Sequence, residues 1–170
     1  MAQTIGDNCF RGCTKLKTIE AAALQEIGKA AFHGCEKLEH ATFPKVSRLE
    51  AGTSNQELED GVFQGCSTIK AIHLPLVQKV GVNEFKGCSS ATIITIPSVP
   101  VTGMSVSTFS ECTSLKWLSI PREVPLSSMG AYRTSLGIPA TCNVICHNGE
   151  VSLEDGKSVS SFYLHNNDNY

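Results

Sequence analysis

Eight cysteines and five histidines in 170 residues are the side chains with the widest chemical reach in this sequence. A zinc centre needs paired Cys or His ligands two to four residues apart, brought together from loops. Five of the cysteines offer nothing of the kind: Cys13, Cys35, Cys66, Cys88 and Cys112 follow one another at spacings of 22, 31, 22 and 24 residues. Each stands three residues after a phenylalanine, Phe10, Phe32, Phe63, Phe85 and Phe109. A thiol that returns in a fixed register behind an aromatic ring is best used as a small apolar side chain in a core. A disulfide between neighbours would demand a Cα separation and side-chain direction that stacked identical positions need not offer. Cys9, Cys142 and Cys146 lie outside the column, and the last two, four apart, carry no strong metal or redox spacing. A core of free thiols suits a reducing or anaerobic setting.

What other side chains can do depends on the elements that position them, and here the sequence repeats. Residues 10–22 (FRGCTKLKTIEAA), 32–44 (FHGCEKLEHATFP), 63–75 (FQGCSTIKAIHLP), 85–97 (FKGCSSATIITIP) and 109–121 (FSECTSLKWLSIP) align without a gap. Aliphatic positions follow the cysteine, Pro closes four of the five segments, and an apolar residue precedes each Phe by five: Ile5, Ile27, Leu58, Val80 and Met104. A unit of about 22 residues cannot bury an apolar face by itself, so units must stack and share a core. Alternation at the end of each unit predicts strands over 17–21, 39–43, 70–74, 92–96 and 116–120. Repeats stacked in one direction make these strands parallel, and the return segments are short enough for a turn or two of helix or 3-10 structure.

IGKAAFHGCEKLEHATFP, at residues 27–44, resembles the repeat of the BspA-like, or Treponema pallidum-type, leucine-rich repeat proteins. The resemblance covers residues 5–121 closely and 122–146 weakly, with Ala22 in place of the first Pro, Ala91 in place of Leu and Glu111 in place of Gly. It implies an α/β repeat fold: a right-handed leucine-rich-repeat solenoid with a parallel β-sheet on its concave face and short helical or 3-10 turns on its convex side. It implies, too, a cell-surface or secreted protein of anaerobic bacteria or parasitic protists, acting in adhesion or in binding a host extracellular or surface protein.

Strand register then separates side chains turned away from the core. One outward column runs Thr18, His40, Ala71, Ile93, Trp117, and the other Glu20, Thr42, His73, Thr95, Ser119. Neighbours in such a column lie about 4.8 Å apart. Trp117, the single tryptophan, beside Ile93 would form an exposed apolar pair able to anchor an interface; a C-terminal tail folded over it would make it core instead. His40 and His73 fall on neighbouring repeats, yet a single nearby carboxylate, Glu20, completes neither a metal site nor a catalytic pair. Ordinary surface histidines account for them as well. Trp117, Ile93, His40, His73 and Thr95 are therefore the expected contact residues, with no catalytic, cofactor-binding or metal role foreseen. A spacer that only displays what is attached to it is the rival expectation.

Composition narrows the partners. Fourteen Lys and Arg against sixteen Asp and Glu give a net charge of -2 without a basic stripe, which disfavours nucleic acid. No apolar run reaches the roughly 20 residues of a membrane span, and no signal-peptide pattern opens the chain. Glycine-rich phosphate loops, HExxH and G-x-S-x-G are absent, so no enzyme motif is offered. The solenoid should occupy residues 1–146, five clear repeats and a degenerate sixth, with 147–170 as a C-terminal cap or tail that includes an Asp155-Gly156 hairpin. Four residues precede the first repeat, an uncapped edge expected to come from a longer chain or to support oligomerisation. Residues 50–58 (EAGTSNQEL) are surplus between the second and third units, because Leu49 already fills the slot of Ile27 and Val80. They make a polar bulge or a contribution to a partner site.

Overall fold

Side chains that one short repeat cannot bury find their cover in the next. In the computed structural model, which describes residues 2–49, 60–100, 103–120, 129–146, 150–152 and 158–160, the repeats stack as a solenoid built from parallel strands with little helix. The strands are β1 (Thr4–Ile5), β2 (Thr18–Glu20), β3 (Glu26–Ile27), β4 (His40–Thr42), β5 (Arg48–Leu49), β6 (Ala71–His73), β7 (Ile93–Thr95), β8 (Trp117–Ile120), β9 (Asn143–Cys146), β10 (Glu150–Ser152) and β11 (Ser158–Ser160). One helix, α1 (Met129–Leu136), precedes β9.

The five expected strands are all present, each shortened to the residues that meet a neighbour in register. β2 pairs with β4 in parallel, Thr18 opposite His40; β6, β7, β8 and β9 form a parallel ladder in which Ala71, Ile93, Trp117 and Asn143 are successive partners. β10 and β11 extend that sheet antiparallel. The Asp155-Gly156 turn and Leu58 lie outside the described residues. A second, narrow ladder was not expected: β1, β3 and β5 pair in parallel, Ile5 with Ile27 and Ile27 with Leu49, and Val80 bridges Met104 further along. It is made from the apolar column five residues before each Phe, and Leu49 occupies the slot assigned to it.

Between the strands the chain returns in single turns closed by i to i+3 bonds, for example Phe10 C=O to Cys13 N–H at 3.0 Å and Phe85 C=O to Cys88 N–H at 3.1 Å. Helix cannot propagate there because left-handed residues follow every Phe of the column and precede four of the five. Asn8, Ala30, Asn83 and Ser107 precede it by two, and Gly12, Gly34, Gly65, Gly87 and Glu111 follow it by two, all with φ between 52° and 74°. Glycine suits the second position because it alone takes that region without a Cβ penalty.

Two columns run the length of the core, beside the buried aliphatic side chains of the strands. The Phe10, Phe32, Phe63, Phe85 and Phe109 rings follow one another at 5.3, 5.6, 6.0 and 5.7 Å, near parallel. Beside them each buried thiol of the repeat column donates to the Phe carbonyl one turn back: Cys35 to Phe10, Cys66 to Phe32, Cys88 to Phe63 and Cys112 to Phe85, at 3.1–3.2 Å. Burial pushes Cys35 up to about 11 and Cys112 up to about 12, and raises Cys66 and Cys88 as well. A thiol held neutral in this way is a poor nucleophile and a poor metal ligand. Cys13 departs from the expectation of a buried column: it is exposed, because the first turn has no turn beneath it among the described residues. Phe10, Leu16 and Ile19 are half-exposed for the same reason.

Candidate functional site

An unbroken sheet would give a featureless strand face, and this face is broken. Adjacent repeats elsewhere join in ladders, but β4 and β6 belong to different sheets although they are neighbours. A single backbone bond bridges them, Lys70 N–H to Glu39 C=O at 3.4 Å. The break falls where the spacing between Phe residues lengthens from 22 to 31.

A cavity of about 440 Å³ opens over the break, lined by His40 and Thr42 of β4 with Phe43 after it, by Ala71 and His73 of β6 with Lys70 before it, and by Ile93 and Thr95 of β7 with Thr92 before it. Four of the five residues expected to make contacts are therefore on its wall: His40, His73, Ile93 and Thr95. The fifth, Trp117, lies one strand beyond. It is the ladder partner of Ile93 on one side and of Asn143 on the other, and it is half-buried, neither fully open nor covered. Register counting had treated the outward columns as running through one continuous sheet. The structure corrects this: His40 and His73 stand on strands of different sheets, on the two sides of the break.

His73 Nδ1 is hydrogen bonded to Thr95 Oγ1, and the hydroxyl can donate or accept, so it serves either imidazole tautomer. Desolvation by burial lowers the His73 pKa, which favours the neutral ring. Among the described residues no carboxylate pairs with Lys70 or either histidine, and no group of three His, Cys, Asp or Glu side chains converges to hold a metal ion. The wall is thus hydroxyl, imidazole and aliphatic, suited to contact and hydrogen bonding. Lys70 and Thr92 were not singled out from the sequence, because strand alternation sets them outside the two outward columns; the lengthened spacing was the one sign of the break.

Among the described residues, the one histidine outside the cleft does something else. His33 lies on the turn side with Nδ1 at 3.5 Å from Asp60 Oδ1, while Asp60 Oδ2 meets Arg11 Nη1 at 2.6 Å. Burial lowers the His33 pKa, Asp60 raises it and Arg11 lowers it. Asp60 is the first described residue after the surplus segment, so this cluster ties the segment's end to the first two turns.

Among solved structures, the chain is similar to the T. pallidum leucine-rich repeat protein, at 24% identity and a TM-score of 0.61 over 71% of this chain and 53% of that one. It is similar also to a leucine-rich repeat protein from Bacteroides ovatus, at 22% identity and a TM-score of 0.57 over 84% of this chain and 39% of that one. A leucine-rich cell surface protein from Faecalibacterium prausnitzii aligns at 23% identity and a TM-score of 0.49, over 69% of this chain and 36% of that one. The chain spans about half the length of these proteins or less, and the likeness is one of fold. Comparison with curated proteins gives no match. No described helix is long and apolar enough to cross a membrane. The profile of the "BspA type Leucine rich repeat region" matches in six copies over residues 1–52 and 45–139, and the chain belongs to that family.

Proposed function

We propose that this chain is a protein-binding module of the adhesion type, and that the cleft between β4 and β6, with Ile93, Thr95, His40 and His73 on its wall and Trp117 at its margin, is the face that meets the partner. The repeat family supplies a scaffold commonly used for protein interaction. The observation that carries the reading is the break itself, over which a cavity of about 440 Å³ opens with both aliphatic and hydrogen-bonding side chains on its wall. A concave site of that size with few, well-separated polar groups is how proteins commonly hold a partner's side chains. The reading assigns no catalysis to the cleft, and it includes a surface or secreted location with a host extracellular or surface protein as partner. Self-association through the first turn is a lesser part of it, favoured by the half-exposed Phe10, Leu16 and Ile19 and the exposed Cys13.

Acrylamide quenching of Trp117 fluorescence, with and without each of a panel of soluble extracellular-matrix proteins, tests the main reading. A binding partner should suppress quenching, and Ile93→Asp should abolish both binding and suppression with the fold intact. Partners that bind without any change at Trp117, and equally well to the Ile93→Asp protein, would leave the spacer role in place of this one.

A further inference from the structure

Charge divides the strand face at the break. From the column cysteine to the end of each strand, the first two turns (residues 13–20 and 35–42) carry Lys15, Lys17 and Lys37 against Glu20, Glu36 and Glu39, a balanced set. The same stretches beyond the break, 66–73, 88–95, 112–120 and 142–146, carry Lys70 and Lys116 and no carboxylate. Both lysines are exposed, and among the described residues neither makes a salt bridge. The carboxylate nearest to Lys116 in sequence, Glu111, lies 3.6 Å from Lys86 Nζ on the turn side. The strand face beyond the break therefore holds two cations and supplies no charge to answer them.

The ladder fixes how far apart these cations start. Lys70 C=O accepts from Thr92 N–H at 2.9 Å, and Thr92 C=O from Lys116 N–H at 3.0 Å, so the three residues share one register. Lys70 and Lys116 are thus two strand spacings apart, about 9.6 Å at the backbone. The ladder partners Ile93 and Trp117 follow Thr92 and Lys116 directly and add an apolar surface beside them. β7 and β8 each have a ladder neighbour on both sides, so a chain laid across them finds no open strand edge and is recognised by its side chains. A polyproline-II segment needs no such edge. It rises about 3.1 Å per residue and turns once in three, which puts side chains at i and i+3 on one face about 9.3 Å apart. Carboxylates at those two positions match the lysines, and an apolar residue between them covers Ile93 and Trp117. A sulfated polyanion matches the lysines alone and lays charge over the apolar pair, where desolvation counts against it. Resting on the reading of this face as the binding face, we propose that the strand face over β6, β7 and β8 takes an extended acidic segment of the protein partner, with carboxylates three residues apart on Lys70 and Lys116 and an apolar side chain between them.

The test is a titration of the isotope-labelled full chain with the blocked peptide Ac-Gly-Glu-Pro-Leu-Glu-Gly-NH2, followed at the backbone amides and the Trp117 indole. The same peptide with Gln for both Glu, and a heparin-type sulfated disaccharide, are the comparisons. Saturable shifts at Lys70, Thr92, Lys116 and Trp117 are expected, with an affinity at low salt about fivefold above the Gln peptide, the yield of two exposed ion pairs. High salt should erase that preference. The Lys70→Gln, Lys116→Gln protein should bind both peptides alike, while Lys17→Gln, Lys37→Gln should keep the preference. Equal affinity for the two peptides, shifts centred on the first two turns, or a preference that survives Lys70→Gln, Lys116→Gln would overturn the proposal. Tighter binding of the disaccharide at the same amides would overturn it too, by giving the lysines to a polyanion. The outcome is separable from the broader reading. A partner that needs Ile93 but binds the Lys70→Gln, Lys116→Gln protein unchanged keeps the binding face and removes the acidic segment; peptide shifts at the lysines, with matrix proteins indifferent to Ile93, keep the site and remove the adhesion module.

Discussion

The two sides of the solenoid meet the same surplus chain between the second and third repeats and answer it differently. On the turn side nothing is lost: Phe32 N–H donates to Val62 C=O at 3.0 Å, Gly34 N–H to Gln64 C=O at 2.8 Å, and the Phe32 and Phe63 rings stack at 5.6 Å as if no residues had been added. On the strand side the ladder is reduced to one 3.4 Å bond. The difference follows from where water can reach. Parting the aromatic and thiol columns would leave a void and unpaired carbonyls in the interior, with both penalties unrelieved. Strand amides at the open face can hydrate, and a bridging water replaces much of a direct bond. An insertion in such a repeat thus preserves the desolvated side and opens the solvated one, which is where a cleft is useful.

The largest test of this contrast removes a ring from the continuous side. Phe63 is fully buried against Phe32, Phe43 and Phe85, and Phe63→Ala should cost about 3 to 5 kcal/mol in urea unfolding. Phe10→Ala, at the half-exposed first turn, should cost clearly less, because its cavity is already open to solvent on one side. Equal losses would mean that the column does not gain its strength from burial at the junction.

Next in size is the carboxylate beside the same junction. Glu84 is completely buried, its Oε1 accepting from Val62 N–H at 3.0 Å and its Oε2 from Gly81 N–H at 3.3 Å. Desolvation outweighs these two bonds and pushes its carboxyl from the usual 4.5 up to about 7. The folded chain therefore binds the proton more tightly than the unfolded chain. The stabilisation is complete below pH 4.5 and is lost as pH rises through 7. A difference of that size corresponds to about 3 kcal/mol. Urea midpoints should fall over this window, and Glu84→Gln should flatten the fall while costing about 1 kcal/mol at low pH, where its NH2 meets the Gly81 N–H. A midpoint that rises with pH in the natural protein and not in the variant would reverse the assignment.

How much of this could be seen in the residues alone depends on whether a feature repeats. The Phe and Cys columns recur at fixed distances, so their shared core and the parallel strands beside them were legible from spacing. The ladder through Ile5, Ile27 and Leu49 escaped strand assignment, because two residues per turn are too few to show alternation, although their apolar column was noted. The break between β4 and β6 is a property of one junction. Register arithmetic assumes every junction alike and so carried the outward columns straight through it. The lengthened interval marked the place, but a polar surplus does not say which side of the solenoid will part. Cys13 was misjudged for a related reason: its register is that of a buried thiol, while burial also requires a neighbouring turn.

The smallest expected effect sharpens the account of the turn side. Four repeats place glycine two residues after Phe, with φ of 69° to 74°, and the fifth places Glu111 there at φ 63°. A residue with a Cβ pays about 1 to 2 kcal/mol for the left-handed region, while glycine returns about 0.5 to 1 kcal/mol through its freer unfolded chain. The Glu111 carboxylate lies 3.6 Å from Lys86 Nζ, but both side chains are solvent-exposed enough for the pair to add little. Glu111→Gly should therefore raise stability by up to about 1 kcal/mol. Gly87→Ala is the reciprocal change. Its new Cβ would meet Gly65 Cα at an ordinary 3.5 Å, so backbone strain alone is added and stability should fall by a similar amount. A loss at Glu111→Gly would show that the ion pair with Lys86 holds the fourth and fifth turns together more firmly than backbone conformation does.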